Sequence, residues 1–136
     1  MAHEIVASRM NLKAGAILKL VGDILPDANH FRVALGNDGY GNIAFHFNAR
    51  FNYLGDHNTV VINTMQNEIW GKEVREKKFP FMQGTKVEIT LHFQGHYFLV
   101  KLPNDQEISI PNRTEVTTIN HLRTSAGIKI RSLAFE

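Results

Sequence analysis

Polar side chains of three kinds alternate with apolar ones in Phe45-His46-Phe47-Asn48-Ala49-Arg50-Phe51-Asn52. On a strand, successive side chains point to opposite faces. Phe45, Phe47, Ala49 and Phe51 then share a dry face, and His46, Asn48, Arg50 and Asn52 share a wet one. From His46 to Arg50 is about 13 Å of strand. Arginine offers a rigid fork of donors, neutral histidine one donor and one acceptor, and asparagine both. A solvated strand face carries Lys, Glu and Thr more often than this set. Heads of these kinds can read hydroxyl groups, each of which both donates and accepts. Further along, Asn63 ends Thr59-Val60-Val61-Ile62-Asn63, and Trp70, Glu73 and Arg75 lie in Glu68-Ile69-Trp70-Gly71-Lys72-Glu73-Val74-Arg75. Glu73 and Arg75 share parity. Trp70 does not, but a bend at Gly71 would bring it to the same side. An indole offers a flat apolar surface and one donor, on which the C–H face of a sugar ring can lie.

The elements that must hold these groups are short. Apolar-rich runs at Ala16–Val21, Phe31–Leu35, Ile43–Phe51, Val60–Asn63, Val87–Phe93, Tyr97–Leu102, Ile108–Ile110 and Ile128–Phe135 each close on turn residues. The turns include Gly36-Asn37-Asp38-Gly39, Gln94-Gly95-His96 and Pro103-Asn104-Asp105. Val87–Phe93 alternates strictly, apolar at odd positions and polar at even ones. This pattern predicts an all-β sandwich or barrel of antiparallel strands, with the wet face of one sheet free for a ligand. Thr114–Thr124 is ambiguous and is expected to hold a short helical turn.

At 136 residues the length is that of one domain, spanning the whole chain 1-136. Apolar residues make up 43% and charged residues 21%, which excludes a disordered chain. The chain has no cysteine, which removes disulfides, thiolate catalysis and sulfur-ligated metals. No apolar run is long enough for a membrane-spanning helix, and the N-terminal residues lack a secretory signal. A net charge of +2 is too small to argue for nucleic acid. The basic run Lys72 to Lys78 is broken by Glu73 and Glu76 and reads as a solvated strand end.

Taken together, His46-Phe47-Asn48-Ala49-Arg50-Phe51-Asn52, Asn58-Thr59-Val60-Val61-Ile62-Asn63 and Trp70-Gly71-Lys72-Glu73-Val74-Arg75 resemble the galectin carbohydrate-recognition signature. Phe79-Pro80-Phe81 and Ile110-Pro111-Asn112-Arg113 resemble the segments that follow it, and the likeness extends from Leu12 to Phe135. The resemblance implies a jelly-roll-like sandwich of two antiparallel sheets and a β-galactoside ligand of the lactose or N-acetyllactosamine type. It implies that His46, Asn48 and Arg50 read the axial 4-hydroxyl of galactose. Asn63 with Glu73 would hold the 6-hydroxyl, and Trp70 would stack under the ring. Glu73 and Arg50, with Arg75 behind them, would reach the neighbouring sugar, and Glu73 is expected to pair with both arginines. No cofactor or metal is implied. Val74 stands where many members have Gln, and its parity points it away from the sugar. Leu54 stands near a position where some members have a histidine. His30 is expected at the surface, with an extended-site role as the alternative.

One-domain members of this family commonly dimerise through terminal strands. Ile128 and Ile130 differ in parity from Leu133 and Phe135, which puts apolar groups on both faces of the last run. A twofold dimer through Ile5, Val6, Ile130, Leu133 and Phe135 is expected on that basis. The resemblance also implies cytoplasmic synthesis with an extracellular destination reached without a signal peptide. Other readings are weaker. A glycosidase needs two opposed carboxylates, and Glu73 lies among arginines that would keep it ionised. His92 and His96 flank one hairpin but lack a third metal ligand. Asn112-Arg113-Thr114 fits the glycosylation pattern and reads better as a structural turn. A galectin-like structural protein that has lost sugar binding is the remaining alternative.

Overall fold

The computed structural model describes residues 3–36 and 41–136, so most of the turn expected at Gly36-Asn37-Asp38-Gly39 lies outside the described residues. Twelve strands and no helix are found among them: β1 (Ile5–Leu12), β2 (Ala16–Ile24), β3 (His30–Gly36), β4 (Ile43–Tyr53), β5 (Asp56–Gln66), β6 (Ile69–Trp70), β7 (Val74–Glu76), β8 (Lys86–Phe93), β9 (Tyr97–Lys101), β10 (Glu107–Pro111), β11 (Ile119–Ala126) and β12 (Ile128–Phe135). One sheet runs β1-β11-β3-β4-β5, with β6 and β7 both paired to β5. The other runs β10-β9-β8-β2-β12. All pairings are antiparallel.

The period-two patterns do what elementary geometry requires of them. On β8, Val87, Ile89, Leu91 and Phe93 are buried while Glu88 is exposed. On β4, Phe45, Phe47 and Ala49 are wholly buried. Phe98 stacks on Phe45 of the opposite sheet at 5.4 Å and on Phe93 at 5.2 Å, so aromatic rings join the two layers. Phe79 and Phe81 close one end, edge-on to Phe51 and Phe31 at 5.1 and 5.3 Å. Burying each such side chain is worth about 1.5–3 kcal/mol. The dry side of β4 therefore anchors the strand whose wet side carries the polar residues.

Two expectations are corrected. The 114–124 segment forms no helical turn; residues 113–114 make a turn and Ile119–Ala126 is strand β11. Ile119 and Leu122 are both fully buried three positions apart, a helix-like spacing. Pairing with β1 and β3 decides in favour of strand. On β12, Ile130 is opposite Gly22 and Ser132 is opposite Val21, which leaves Arg131 as an extra, bulged residue. A bulge resets the alternation. Leu133 therefore joins Ile128 and Ile130 in packing toward the core, and the inference that both faces of this strand are apolar fails.

Gly127 joins β11 to β12 where only glycine fits. A Cβ there would fall 2.3 Å from Cβ of Ala28 and 2.8 Å from the His30 carbonyl oxygen. This crossing leaves β1 and β12 as open edge strands of their two sheets.

Candidate functional site

The wet face of β4 forms the floor of an open groove of about 630 Å³. His46, Asn48, Arg50, Asn63, Trp70 and Glu73 all line it. Arg75 stands behind, bonded to Glu73. The register explains the clustering, since His46 lies opposite Asn63 on β5 and Trp70 of β6 lies opposite Met65.

Asn48 is 2% exposed and almost fully committed. Its Nδ2 donates to His30 Nδ1 at 3.0 Å and to the Phe31 carbonyl at 2.9 Å. Its Oδ1 accepts from Arg50 Nε at 2.8 Å. Both amide protons are used, so Asn48 presents only acceptor capacity to the groove. Arg50 also donates through Nη1 to Asp56 at 2.7 Å, and its guanidinium lies 5.6 Å over the Tyr53 ring. The other Asp56 oxygen accepts from Arg75 Nη1 at 2.7 Å. Arg75 in turn donates to Glu73 Oε1 from Nε and Nη2, at 3.0 and 2.8 Å. The result is one chain of charge-assisted bonds: Asn48, Arg50, Asp56, Arg75, Glu73.

This chain corrects the expected Glu73 pairing. Glu73 pairs with Arg75, and the carboxylate that Arg50 meets is Asp56, a residue outside the signature segments. The two arginines hold the Asp56 carboxyl below its usual range, first through the Arg75 bond and then the Arg50 bond. Asp56 reaches the site because Leu54-Gly55 is a two-residue hairpin loop in which Tyr53 pairs with Asp56. Both loop residues have positive φ, 51° and 83°, as the tight hairpin turn requires.

His30 is a second correction. It is buried, not superficial, and stacks on Tyr53 at 3.6 Å with the rings 10° from parallel. It lies beneath Asn48 and outside the groove lining, where it fixes the amide by accepting from it. His46 stands edge-on to Trp70 at 4.9 Å. Burial first, then the charges of Arg32 and Arg50, pulls both His30 and His46 down to about 4. Both rings are neutral at neutral pH, so His46 keeps one donor and one acceptor.

The far wall is held by polar contacts to backbone. Asn63 Nδ2 donates to the Gly71 carbonyl at 2.9 Å, and Gly71 N–H donates to the Thr64 carbonyl at 2.9 Å. A Cβ on Gly71 would stand 3.2 to 3.4 Å from Thr64 Oγ1, Asn63 Oδ1 and Arg113 Nη1, so the close approach uses glycine. Arg113 Nη1 donates to the Lys72 carbonyl at 2.8 Å. Its turn is tied by Asn112 Nδ2, which donates to the Gly95 and Val116 carbonyls. Trp70 is thereby set at the end of the groove, 47% exposed. Val74 packs toward the core, away from the groove, and Leu54 stands exposed at its rim. Sequence reasoning missed Asp56 as a neighbour of the site, and it named His30 and Arg113 without the contacts they make here. Their roles arise from a hairpin, a register and a turn, not from a local motif.

Residues 4–135 match the galactoside-binding lectin family. The chain is 43% identical to pig (Sus scrofa) Galectin-1 over 136 residues, all of both chains. It is 37% identical to the 16 kDa beta-galactoside-binding lectin of chicken (Gallus gallus) over 135 residues, 99% of each. Among solved structures, CG-16, a homodimeric agglutinin from chicken liver, superposes with a TM-score of 0.94 at 36% identity, covering 98% of this chain and 100% of that one. Toad ovary galectin in complex with thio-digalactose superposes with a TM-score of 0.92 at 34% identity over 98% of both chains. A two-sheet sandwich with this groove, matched across nearly its whole length, belongs to the galectin family of galactoside-binding lectins.

Proposed function

We propose that this protein binds β-galactosides of the lactose or N-acetyllactosamine type and cross-links glycoproteins or glycolipids as a non-covalent homodimer. The observation that carries the reading is the bonded chain from Asn48 to Glu73 beside Trp70 in one groove. Its polar heads are already fixed before any sugar arrives, which spares the ordering cost of binding. His46, Asn48 and Arg50 would pair with the axial 4-hydroxyl, and Asn63 with Glu73 would hold the 6-hydroxyl. An equatorial 4-hydroxyl, as in glucose, would leave the cluster without its partner, and unpaired polar groups are what reject the wrong isomer. Trp70 would take the apolar face of the ring. The reading is of binding without hydrolysis. Asp56 and Glu73 are both tied to arginines, which leaves no free pair of carboxyl groups facing each other across a glycosidic bond.

The groove is open and shallow, so a free disaccharide should bind with about −4 to −7 kcal/mol, about millimolar to ten micromolar. Two linked sites can raise avidity about 10² to 10⁴-fold with no new contact. The dimer reading rests on the open edges β1 and β12 and on the exposed Ile5, Val6 and Phe135. Ile130 and Leu133 are partly spent on the core and would contribute less. The proposal includes both a cytoplasmic and an extracellular location, the latter being where such glycans are met.

Calorimetric titration with lactose, run beside maltose and an Arg50→Ala variant, tests the site. Lactose heat, none from maltose, and about 10- to 150-fold weaker lactose binding in the variant are expected, since a charge-assisted bond is worth about 1.5–3 kcal/mol. A folded protein that gives no lactose heat would refute the reading and favour the structural alternative.

A further inference from the structure

Tyr53 ends β4 and stands outside the set of residues assigned to the sugar, yet it touches three of the side chains around them. Its ring stacks on His30 of β3 at 3.6 Å, 10° from parallel. The Arg50 guanidinium lies 5.6 Å over the same ring. Its hydroxyl accepts from Arg32 Nη2 at 3.3 Å. Parity alone would place Tyr53 with Phe51 on the dry side of β4. The backbone shows why it is not there. The N–H groups of Phe51 and Asn52 both donate to the Asn29 carbonyl, at 2.9 and 3.0 Å. Two residues set against one mark a β-bulge, which re-aims the side chains beyond it. Tyr53 is thereby turned, half-buried, into the lining of the groove.

The contacts close on themselves. Asn48 donates to His30 Nδ1 at 3.0 Å and accepts from Arg50 Nε at 2.8 Å. Tyr53 meets the same two partners, His30 by stacking and Arg50 through the charge over its ring. It also lies opposite Asp56 across the hairpin, so one ring and one carboxylate hold a single guanidinium together. Stacked rings attract, and so do a cation and an aromatic face. The stack also covers His30, which is 9% exposed and must keep a bare nitrogen to accept from Asn48. Without Tyr53 the circuit opens at both ends. From this closed circuit we infer that Tyr53 is a positioning residue: it fixes Arg50 and, through His30, Asn48, and so sets how sharply the groove reads the galactose 4-hydroxyl. The second half of that inference rests on the galactoside reading given above; the first does not.

Two measurements test the two halves. In proton–nitrogen NMR spectra of the sugar-free protein, the Arg50 Nε–H and the Asn48 side-chain amide should give signals slow to exchange with water. In Tyr53→Leu, checked for folding by thermal melt, these signals should shift and exchange faster, while in Tyr53→Phe, which keeps the ring, they should hold. Tyr53→Gln supplies the same readout should Tyr53→Leu not fold. Calorimetric titration with lactose and 4′-deoxylactose reads the second half. Tyr53→Leu should bind lactose about 3- to 30-fold more weakly, the range of a lost ring stack and cation–π contact, and Tyr53→Phe within about 2-fold of the native chain. The deoxy sugar, which lacks the group that Arg50 and Asn48 read, should bind variant and native chain alike, so the ratio between the two sugars narrows. Unmoved signals in a folded variant overturn the positioning role. Equal weakening of both sugars overturns the effect on the 4-hydroxyl and makes Tyr53 an ordinary sugar contact. Failure of the native chain to bind lactose overturns the galactoside reading instead, and the NMR signals then decide the positioning role alone.

Discussion

Asn48 shows how much of this site is settled before a ligand arrives. Both its amide protons are given to His30 and Phe31, and its oxygen already takes one bond from Arg50. Protonating His30 would place a proton where Asn48 donates and turn an attraction into a clash. His30 and His46 both titrate near 4 in the folded chain, against 6.5 when unfolded. The unfolded chain therefore binds more protons between these values, so stability present above about pH 6.5 is lost as pH falls toward 4. Lactose affinity should decline over the lower part of the same window. Asp56 stays ionised there, because its arginines hold its carboxyl low. Thermal melts from pH 7 to 4 should show this slope, and a His30→Gln variant should show a shallower one. An identical slope in the variant would remove His30 from the account.

At the scale of elements, the two-residue hairpin between β4 and β5 decides where Asp56 goes. Leu54 holds a φ of 51°, a region costly for a branched side chain, and is 72% exposed. Leu54→Asn should raise stability by about 0.5–1 kcal/mol in a denaturant titration, and a loss of stability would contradict the strain. The same hairpin marks the limit of what the sequence discloses. Period-two runs such as Val87–Phe93 and Phe45–Phe51 declare strand, face and core, because burial imposes the alternation directly. His46, Asn48 and Arg50 were legible for the same reason, standing on the reverse of an aromatic face. Asp56 was not, since its role depends on a loop short enough to fold it back on Arg50. His30 was hidden in a cross-strand register, and the Arg131 bulge reversed the apparent parity of Leu133. Such displacements of one residue leave no mark in a hydrophobic pattern.

For the whole molecule, the open edges β1 and β12 frame the question of assembly. Sedimentation equilibrium at high micromolar concentration should give twice the mass of the chain. A Val6→Asp, Phe135→Asp double variant should shift it toward single chains while lactose binding per chain persists, because neither residue lines the groove. A native chain that sediments as a monomer would remove the dimer. The chain also contains one tryptophan, and it stands half exposed at the end of the groove, beside His46. Its ultraviolet-excited emission therefore comes from the proposed sugar seat alone, with no background from the core. A galactose ring laid on the indole would displace water, moving the emission to shorter wavelength in proportion to occupancy. The protein thus carries a built-in optical gauge for its own ligand, readable without a label.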